Sequence, residues 1–517
     1  MFEILVETAS GIAPVLWSVL LFCVTLPVLA TLRRWFRVFR MAQRLPSPPA
    51  HPVLGHTADF ASKEKFFDRA MKWCQQFPVF HKTQILFHPL ILVHSPEAVQ
   101  TILSRNKHAE KGFIYKGLRA LLGEGLITSK GARWHAHRKL ITPTFHFHVL
   151  ESFLEVFVER SKELMERLKE REGTGAFDIS PLEEIGIYRM IRPWLLADWI
   201  FRFTKKGREQ VYYKNVIKER KEAIKQRKLE GIESTEDDCR LSATTFYSSQ
   251  QIYVDIRLIL SKKHHTIDTL FSYKNWSASL KSKSFNTGKK RRAIFMDLLI
   301  ESSENGTLLT DEDIREEVNS FMFAGQNTTQ LAITYCLYLI ARTPEVQSRV
   351  VEELEGIFGD SDRDPTMADL REMHYLERCI KEALRLFPSV PVIARTLTED
   401  QPMGKHVLPA GADVLILPYV LHRNPDQFPD PEKFNPDNFL PERVKNRHPY
   451  SYIPFSAGPR QKFAMLAEKT ILSTILRRYV ITSPQSREEL IVVPNTVLVP
   501  KRGIKIELTS RHPVSSS

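Results

Sequence analysis

The chain has 517 residues, of which 43% are hydrophobic and 26% charged; that is enough apolar material for a large buried core, and it excludes a disordered polymer. A net charge of +13 favours an acidic partner, such as anionic lipid or an acidic protein. Nucleic acid is excluded as that partner, because the Lys/Arg-rich patches carry no interleaved aromatics and no zinc-type Cys/His spacing is found.

From Thr8 to Leu32 there is no charge, and Ile12 to Leu32 is long enough to cross a hydrocarbon core of about 30 Å as a helix. Glu3 and Glu7 precede this run, and Arg33, Arg34, Arg37, Arg40 and Arg44 follow it. That is the reverse of a cleaved signal peptide, and it predicts a retained transmembrane anchor with the body of the chain in the cytosol. Residues 1–11 are then lumenal and 12–32 span the membrane. Trp35 and Phe36 suit the interfacial belt, and the arginines suit anionic membrane lipids. Pro46, Pro48, Pro49 and Pro52 forbid a continuing helix, so 33–52 reads as a basic and Pro-rich hinge.

Residues 53–107 hold short apolar runs such as Ile85 to Phe87 and Leu90 to Val93, which read as strands mixed with short helices. From about Leu150 the spacing of Leu150, Phe153, Leu154 and Phe157 is helical, and long helices dominate the remainder. Two stretches look foreign to this pattern: an abrupt junction near Glu184 to Tyr188, and residues 240–288, Ser/Lys/Thr/Tyr-rich without a period, which read as an atypical insertion. Residues 409–455, rich in Pro, Asn and Asp, read as a meandering coil. Cys23, Cys74, Cys239, Cys336 and Cys379 are odd in number and far apart, which argues against a disulfide framework and for a reducing compartment.

Thr310 and Asp313 form a capping-box pattern ahead of a long apolar helix to Arg342. Inside it lies Ala324-Gly325-Gln326-Asn327-Thr328-Thr329. A mid-helix glycine costs about 1 kcal/mol relative to alanine, so Gly325 predicts either close approach by a flat ligand or an ordinary packing contact. The Thr328 hydroxyl can bond back to the preceding turn and open a groove. Further on, Lys381-Glu382-Ala383-Leu384-Arg385 places Glu382 and Arg385 at i, i+3, where they can pair. Pro431 to Phe439 and Phe455-Ser456-Ala457-Gly458-Pro459-Arg460 follow, and upstream Trp134 and Arg138 make W-x-x-x-R.

In this order and at these separations the motifs resemble those of the cytochromes P-450, and more narrowly the family 4 fatty-acid hydroxylases of the endoplasmic reticulum. The likeness covers roughly residues 40–183, 187–228 and 289–510. It implies a mostly α fold with small β sheets (α+β) over residues 53–510 on the N-terminal anchor, with 511–517 as a tail. It also implies heme b, electrons from NADPH through an NADPH-cytochrome reductase, and insertion of one oxygen atom into a fatty acid or related lipid. Trp134, Arg138, Arg395 and Arg460 would hold the heme propionates, since guanidinium groups match carboxylates bidentately. Ala324 and Gly325 would face the cofactor, Phe455 would open its loop, Thr328 would help deliver protons, and Glu382 with Arg385 would be a structural pair behind it.

Departures accompany the matches. The family loop reads F-x-x-G-x-R-x-C-x-G, with the cysteine thiolate as axial ligand; here Arg460 is followed directly by Gln461-Lys462-Phe463-Ala464, and four residues including the cysteine are absent. No metal ligand is therefore assigned. Asn327 stands where an acid usually precedes the threonine, which weakens proton delivery. Ala324 stands where many relatives carry a glutamate that esterifies heme. The expectation is a monooxygenase scaffold whose chemistry is broken in this chain, with two origins left open: a splice form or faulty gene model of an active parent, or a non-catalytic binding or scaffold protein of the same fold.

Overall fold

The computed structural model describes residues 2–104, 110–142, 147–179, 299, 309–455 and 460–511; the side chains of 2–20, 120, 121, 147–152, 311, 322, 326, 460 and 461 fall outside that description. The junction near Glu184 and the 240–288 segment also lie outside the described residues. The chain divides into two units, Met1–Phe113 with Ala394–Ile416, and Ile114–Ile393 with Leu417–Ser517.

In the first unit, α1 (Phe2–Ala42) runs unbroken through the uncharged segment and on through four of the arginines. Its final turns pack on the unit: Val38 and Ala42 are buried, and Arg37 donates to Asp400 at 2.6 Å. The helix stops shortly before the prolines, as their missing N–H and fixed φ require. Among the described residues no helix is long and apolar enough to cross a membrane. The predicted span lies on α1, its side chains to residue 20 lie outside the described set, and from Leu21 to Leu32 the large apolar side chains are exposed.

Three short helices follow, α2 (Thr57–Ala61), α3 (Phe66–Gln76) and α4 (Pro96–Leu103). Phe67, Ala70 and Trp73 bury one face of α3, while Ser95 caps α4 by accepting from the Ala98 amide at 3.2 Å, with Pro96 at the first helical position. Strands β1 (Phe80–Ile85) and β2 (His88–Val93) form an antiparallel hairpin, and β7 (Asp413–Ile416) adds parallel to β2. With β4 (Ile393–Thr396) the sheet order is β1-β2-β7-β4; β5 (Gln401–Met403) and β6 (His406–Leu408) form a separate ribbon. The apolar run Ile85 to Phe87 is mostly turn and not strand. Leu86 adopts φ 51° and is exposed along with Phe87, because reversing the chain takes precedence over burying two side chains.

The second unit is helical: α5 (Ile114–Leu122), α6 (Gly131–Ile141), α7 (Phe147–Lys169), α8 (Asp311–Ala341), α9 (Pro344–Phe358), α10 (Met367–Glu372) and α11 (His374–Leu386). After them come α12 (Pro418–Leu421), α13 (Pro441–Lys445) and α14 (Arg460–Arg478). Helix α8 packs against α11 and α14, and α14 against α7. The core shared by α7, α8 and α14 holds Phe153, Phe157, Ile314, Val318, Phe321 and Ala467. Strand β11 (Lys505–Ser510) pairs with both β3 (Phe177–Asp178) and β8 (Tyr479–Thr482), and β9 (Val492–Pro494) pairs with β10 (Leu498–Pro500). The expected coil before α14 is broken by elements of three to five residues. Side chains supply the local bonds there: Asn435 accepts from the Asp437 amide, and His448 from the Tyr450 amide.

Candidate functional site

Helix α8 begins with the capping box that the sequence predicts: Thr310 Oγ1 accepts from the Asp313 amide at 3.2 Å, and the Asp313 carboxylate accepts from the Thr310 amide at 2.7 Å. The helix is largely buried on either side of one stretch, but every residue from Phe323 to Gln330 whose burial is described is only half-buried. The middle of this core helix is therefore only partly covered. At that stretch Thr328 Oγ1 donates to the Ala324 carbonyl at 2.6 Å, and Ser389 Oγ donates to the Thr328 carbonyl at 2.8 Å. The hydroxyl proton of Thr328 is thus committed to the previous turn, and its lone pairs remain free to accept. Asn327 and Gly325 lie on the same open stretch.

Helix α6 carries Trp134 and Arg138. Trp134 packs against the core cluster. Arg138 is half-buried, burial lowers its guanidinium below the usual arginine range, and among the described residues it has no ion-pair partner. A desolvated cation of this kind calls for an anion.

What holds α6 in place was not read from the sequence. Arg133 donates to Asp313 at 2.5 Å and to Glu316 at 2.8 Å. His137 Nδ1 lies 2.7 Å from the fully buried Glu317, whose other oxygen accepts from the Leu126 amide at 3.1 Å. The acids of the first turns of α8 thus clamp α6. An available signal was the cluster of three acids facing a helix that is otherwise basic.

Glu382 and Arg385 are both fully buried and joined by two bonds, at 2.8 and 2.9 Å. The remaining guanidinium donors go to the carbonyls of His422, Pro431 and Lys433, so all five are used. Glu382 also accepts from the Asn435 amide at 2.9 Å and from Asn438 Nδ2 at 3.0 Å. These bonds tie α11 to the coil. Asn438 thus holds one of the bonds of Glu382.

The chain leading to Phe455 is fixed by two residues that sequence reasoning missed. His422 Nε2 accepts from the Ile453 amide at 2.9 Å, and Tyr452 donates to the Lys381 carbonyl at 2.9 Å. Phe455 is half-buried; residues 456–459 and the Arg460 side chain lie outside the described residues. Arg395 sits on β4 in the other unit, bonded to the Ala394 carbonyl at 2.9 Å and with no ion-pair partner among the described residues. Cys336 and Cys379 are fully buried, and burial drives their thiols well above the usual range; Cys74 is pushed up to about 12 by the same cause. These three are thiols at neutral pH.

A family model described as Cytochrome P450 matches residues 45–508. Cytochrome P450 4c3 of Drosophila melanogaster is 37% identical over 98% of this chain and 96% of its own length. The chain is a cytochrome P450 of family 4. Cytochrome P450 4V2 of Mus musculus is 35% identical, covering 92% of this chain and 91% of its own. The fold matches the crystal structure of a cytochrome P450DA heme domain with a TM-score of 0.63 at 21% identity, over 91% of this chain and 98% of that one. Membership makes it an oxidoreductase of the monooxygenase class, with heme as the family cofactor and a reductase as electron source.

The side chains fit one part of that cofactor and not another. Within the second unit, Arg138, which has no ion-pair partner among the described residues, suits an acidic group, and the half-buried stretch of α8 suits a flat apolar face. The axial side does not fit: the P450 loop runs from Phe455 through Arg460 into α14 without a cysteine, and the buried thiols of α8 and α11 are held protonated.

Proposed function

We propose that this P450 is a lipid-directed monooxygenase scaffold, its parental reaction the NADPH-dependent hydroxylation of a fatty acid or related lipid, in which oxygen cleavage is disabled by the missing thiolate. The observation that carries the reading is the half-buried stretch Phe323 to Gln330 in a largely buried helix, with the Thr328 hydroxyl turned onto Ala324. Heme, when bound, supplies the oxygen chemistry. Arg138, with Trp134 beside it, would hold one acidic group of the cofactor, and Arg395 and Arg460 are assigned the others. Thr328 would accept a hydrogen bond at the open face. Asn327 cannot exchange a proton at neutral pH, so the relay is impaired on this side as well.

The anchor belongs to the same reading. A continuous helix, exposed apolar side chains from Leu21 to Leu32 and the arginines that follow support a single pass through the endoplasmic reticulum membrane with the body in the cytosol. The domain limits 12–32, 33–52 and 53–510 follow from it. The net charge of +13 suits both anionic lipid and an acidic reductase.

The test is the spectrum of the purified full chain, reduced under carbon monoxide. Heme without the thiolate-type Soret shift is expected. A thiolate-type band would mean that another cysteine reaches the iron, and the disabled reading would fall.

A further inference from the structure

Cys74, near the end of α3, is followed by His81 on β1 and by His94 just after β2, all within the first unit. In sequence they read C-x6-H-x12-H, which matches no zinc-type spacing. The fold brings them together. One ligand atom from each of the three lies within 4.8 Å of the others, with His81 and His94 buried and Cys74 half-buried. The hairpin makes this possible: His81 is opposite Leu92, and the His94 amide bonds back to the Val79 carbonyl, which puts both imidazoles at one end of the ladder under Trp73 and Cys74.

The bland alternative is a buried aromatic cluster, since His81 has ring contacts with Trp73, Phe77 and His94. The polar atoms argue against it. Both ring nitrogens of His81 and Nδ1 of His94 are buried with no hydrogen-bond partner among the described residues. Each such group costs about 1–3 kcal/mol when left unpaired. His56, a fully buried histidine of the same unit, shows the ordinary solution: its Nδ1 accepts from the Gln84 amide and its Nε2 bonds the Pro48 carbonyl. His94 is half prepared. Its Nε2 bonds the Phe77 carbonyl, which can only accept, so Nε2 carries the proton and Nδ1 presents a lone pair. Such a carbonyl contact is the usual outer support of a metal-bound imidazole.

We propose that Cys74, His81 and His94 form a binding site for a zinc-class divalent cation, pinning α3 to the β1–β2 hairpin. Two imidazoles and one thiolate are the donor set of a borderline-soft ion, and with no carboxylate in the cluster calcium and magnesium are poorly served. The fourth position falls to a water on the half-buried Cys74 side. Imidazole binds a metal through a neutral nitrogen, so only Cys74 has a proton to lose on binding. Binding forms one Zn–S and two Zn–N bonds, breaks the S–H bond of Cys74, and releases that single proton to solvent. The site is remote in sequence from every P450 motif and is independent of whether heme binds.

The full chain in detergent, purified with added Zn²⁺ and dialysed, should retain one zinc per chain by elemental analysis. X-ray absorption at the zinc edge should show one sulfur at about 2.3 Å and two imidazole nitrogens at about 2.0–2.1 Å. Cys74→Ala, a small change at a half-buried position, should lose the sulfur shell and most of the retained zinc, whereas Cys23→Ala should keep both. Co²⁺ in place of Zn²⁺ should give thiolate-to-cobalt charge-transfer absorption in the wild type. A wild-type chain that retains no zinc, or a sulfur shell that survives Cys74→Ala, overturns the proposal; because the edge is that of zinc, neither result depends on heme.

Discussion

Arg385 grips Glu382 through Nε at 2.8 Å and Nη2 at 2.9 Å, with neither side chain exposed, and sends its remaining donors to three coil carbonyls. A buried pair of this kind is costly to break because the survivor stays charged and dry. Arg385→Ala should therefore destabilise the fold by about 3–5 kcal/mol. Arg385→Lys should recover little of it, since an ammonium cannot reproduce the planar fork. Urea midpoints of the two variants check this, and a lysine variant close to wild type would show that charge, not the fork, carries the contact.

His422 sets an acid limit. Burial first, and then the positive charge of Arg385 and Arg423, hold it at about 3 against an ordinary 6.5. Between those values the unfolded chain takes up a proton that the folded chain refuses, so stability is full above about pH 6.5 and falls as pH drops toward about 3. His81 and His94 act in the same direction. His422→Gln should lower stability at neutral pH by loosening the Ile453 contact, yet flatten the acid slope by up to one proton. Thermal midpoints across the acid range read both effects.

The motifs that were legible in the sequence are those whose partners lie within a few residues of one another. Thr310 with Asp313, Thr328 with Ala324 and Glu382 with Arg385 all sit at helical spacings of three or four, where the backbone fixes the meeting. The contacts that were missed join residues far apart: His137 to Glu317, His422 to Ile453, and the Cys74, His81 and His94 group. Those depend on how helices and hairpin pack, which no local period encodes. The Ile85 to Phe87 run shows the opposite error, since an apolar run looks like a strand until the turn geometry claims Leu86.

Glu468 on α14 is buried, and neither carboxyl oxygen has a hydrogen-bond partner among the described residues. Burial raises its pKa well above the usual range, so it folds as the neutral acid. The sign is opposite to that of His422: its contribution is full below the ordinary 4.5 and is lost as pH rises toward the folded value. Glu468→Met fills similar volume without a polar group and should raise stability near neutral pH by about 1–3 kcal/mol, with a smaller gain in acid. A variant less stable than wild type at neutral pH would point to an unseen partner for the carboxyl.

The missing loop segment makes the last prediction. Phe463, three residues into α14, stands edge-on to Phe153 and Phe157 at 5.2 and 5.3 Å, so the register of that helix is fixed by the core. Four residues inserted between Arg460 and Gln461 must then lengthen the loop, leaving the helix unshifted. An insertion that completes x-C-x-G after Arg460 should produce the thiolate-type band under carbon monoxide, and the same insertion with serine for cysteine should not. Asn327→Asp added to the cysteine version should raise product formed per NADPH consumed, because an acid beside Thr328 can pass the protons that Asn327 cannot. If the cysteine insertion folds and binds heme without that band, the loop is not what disables this chain. The Thr328 groove or the altered segments outside the described residues would then have to carry the loss.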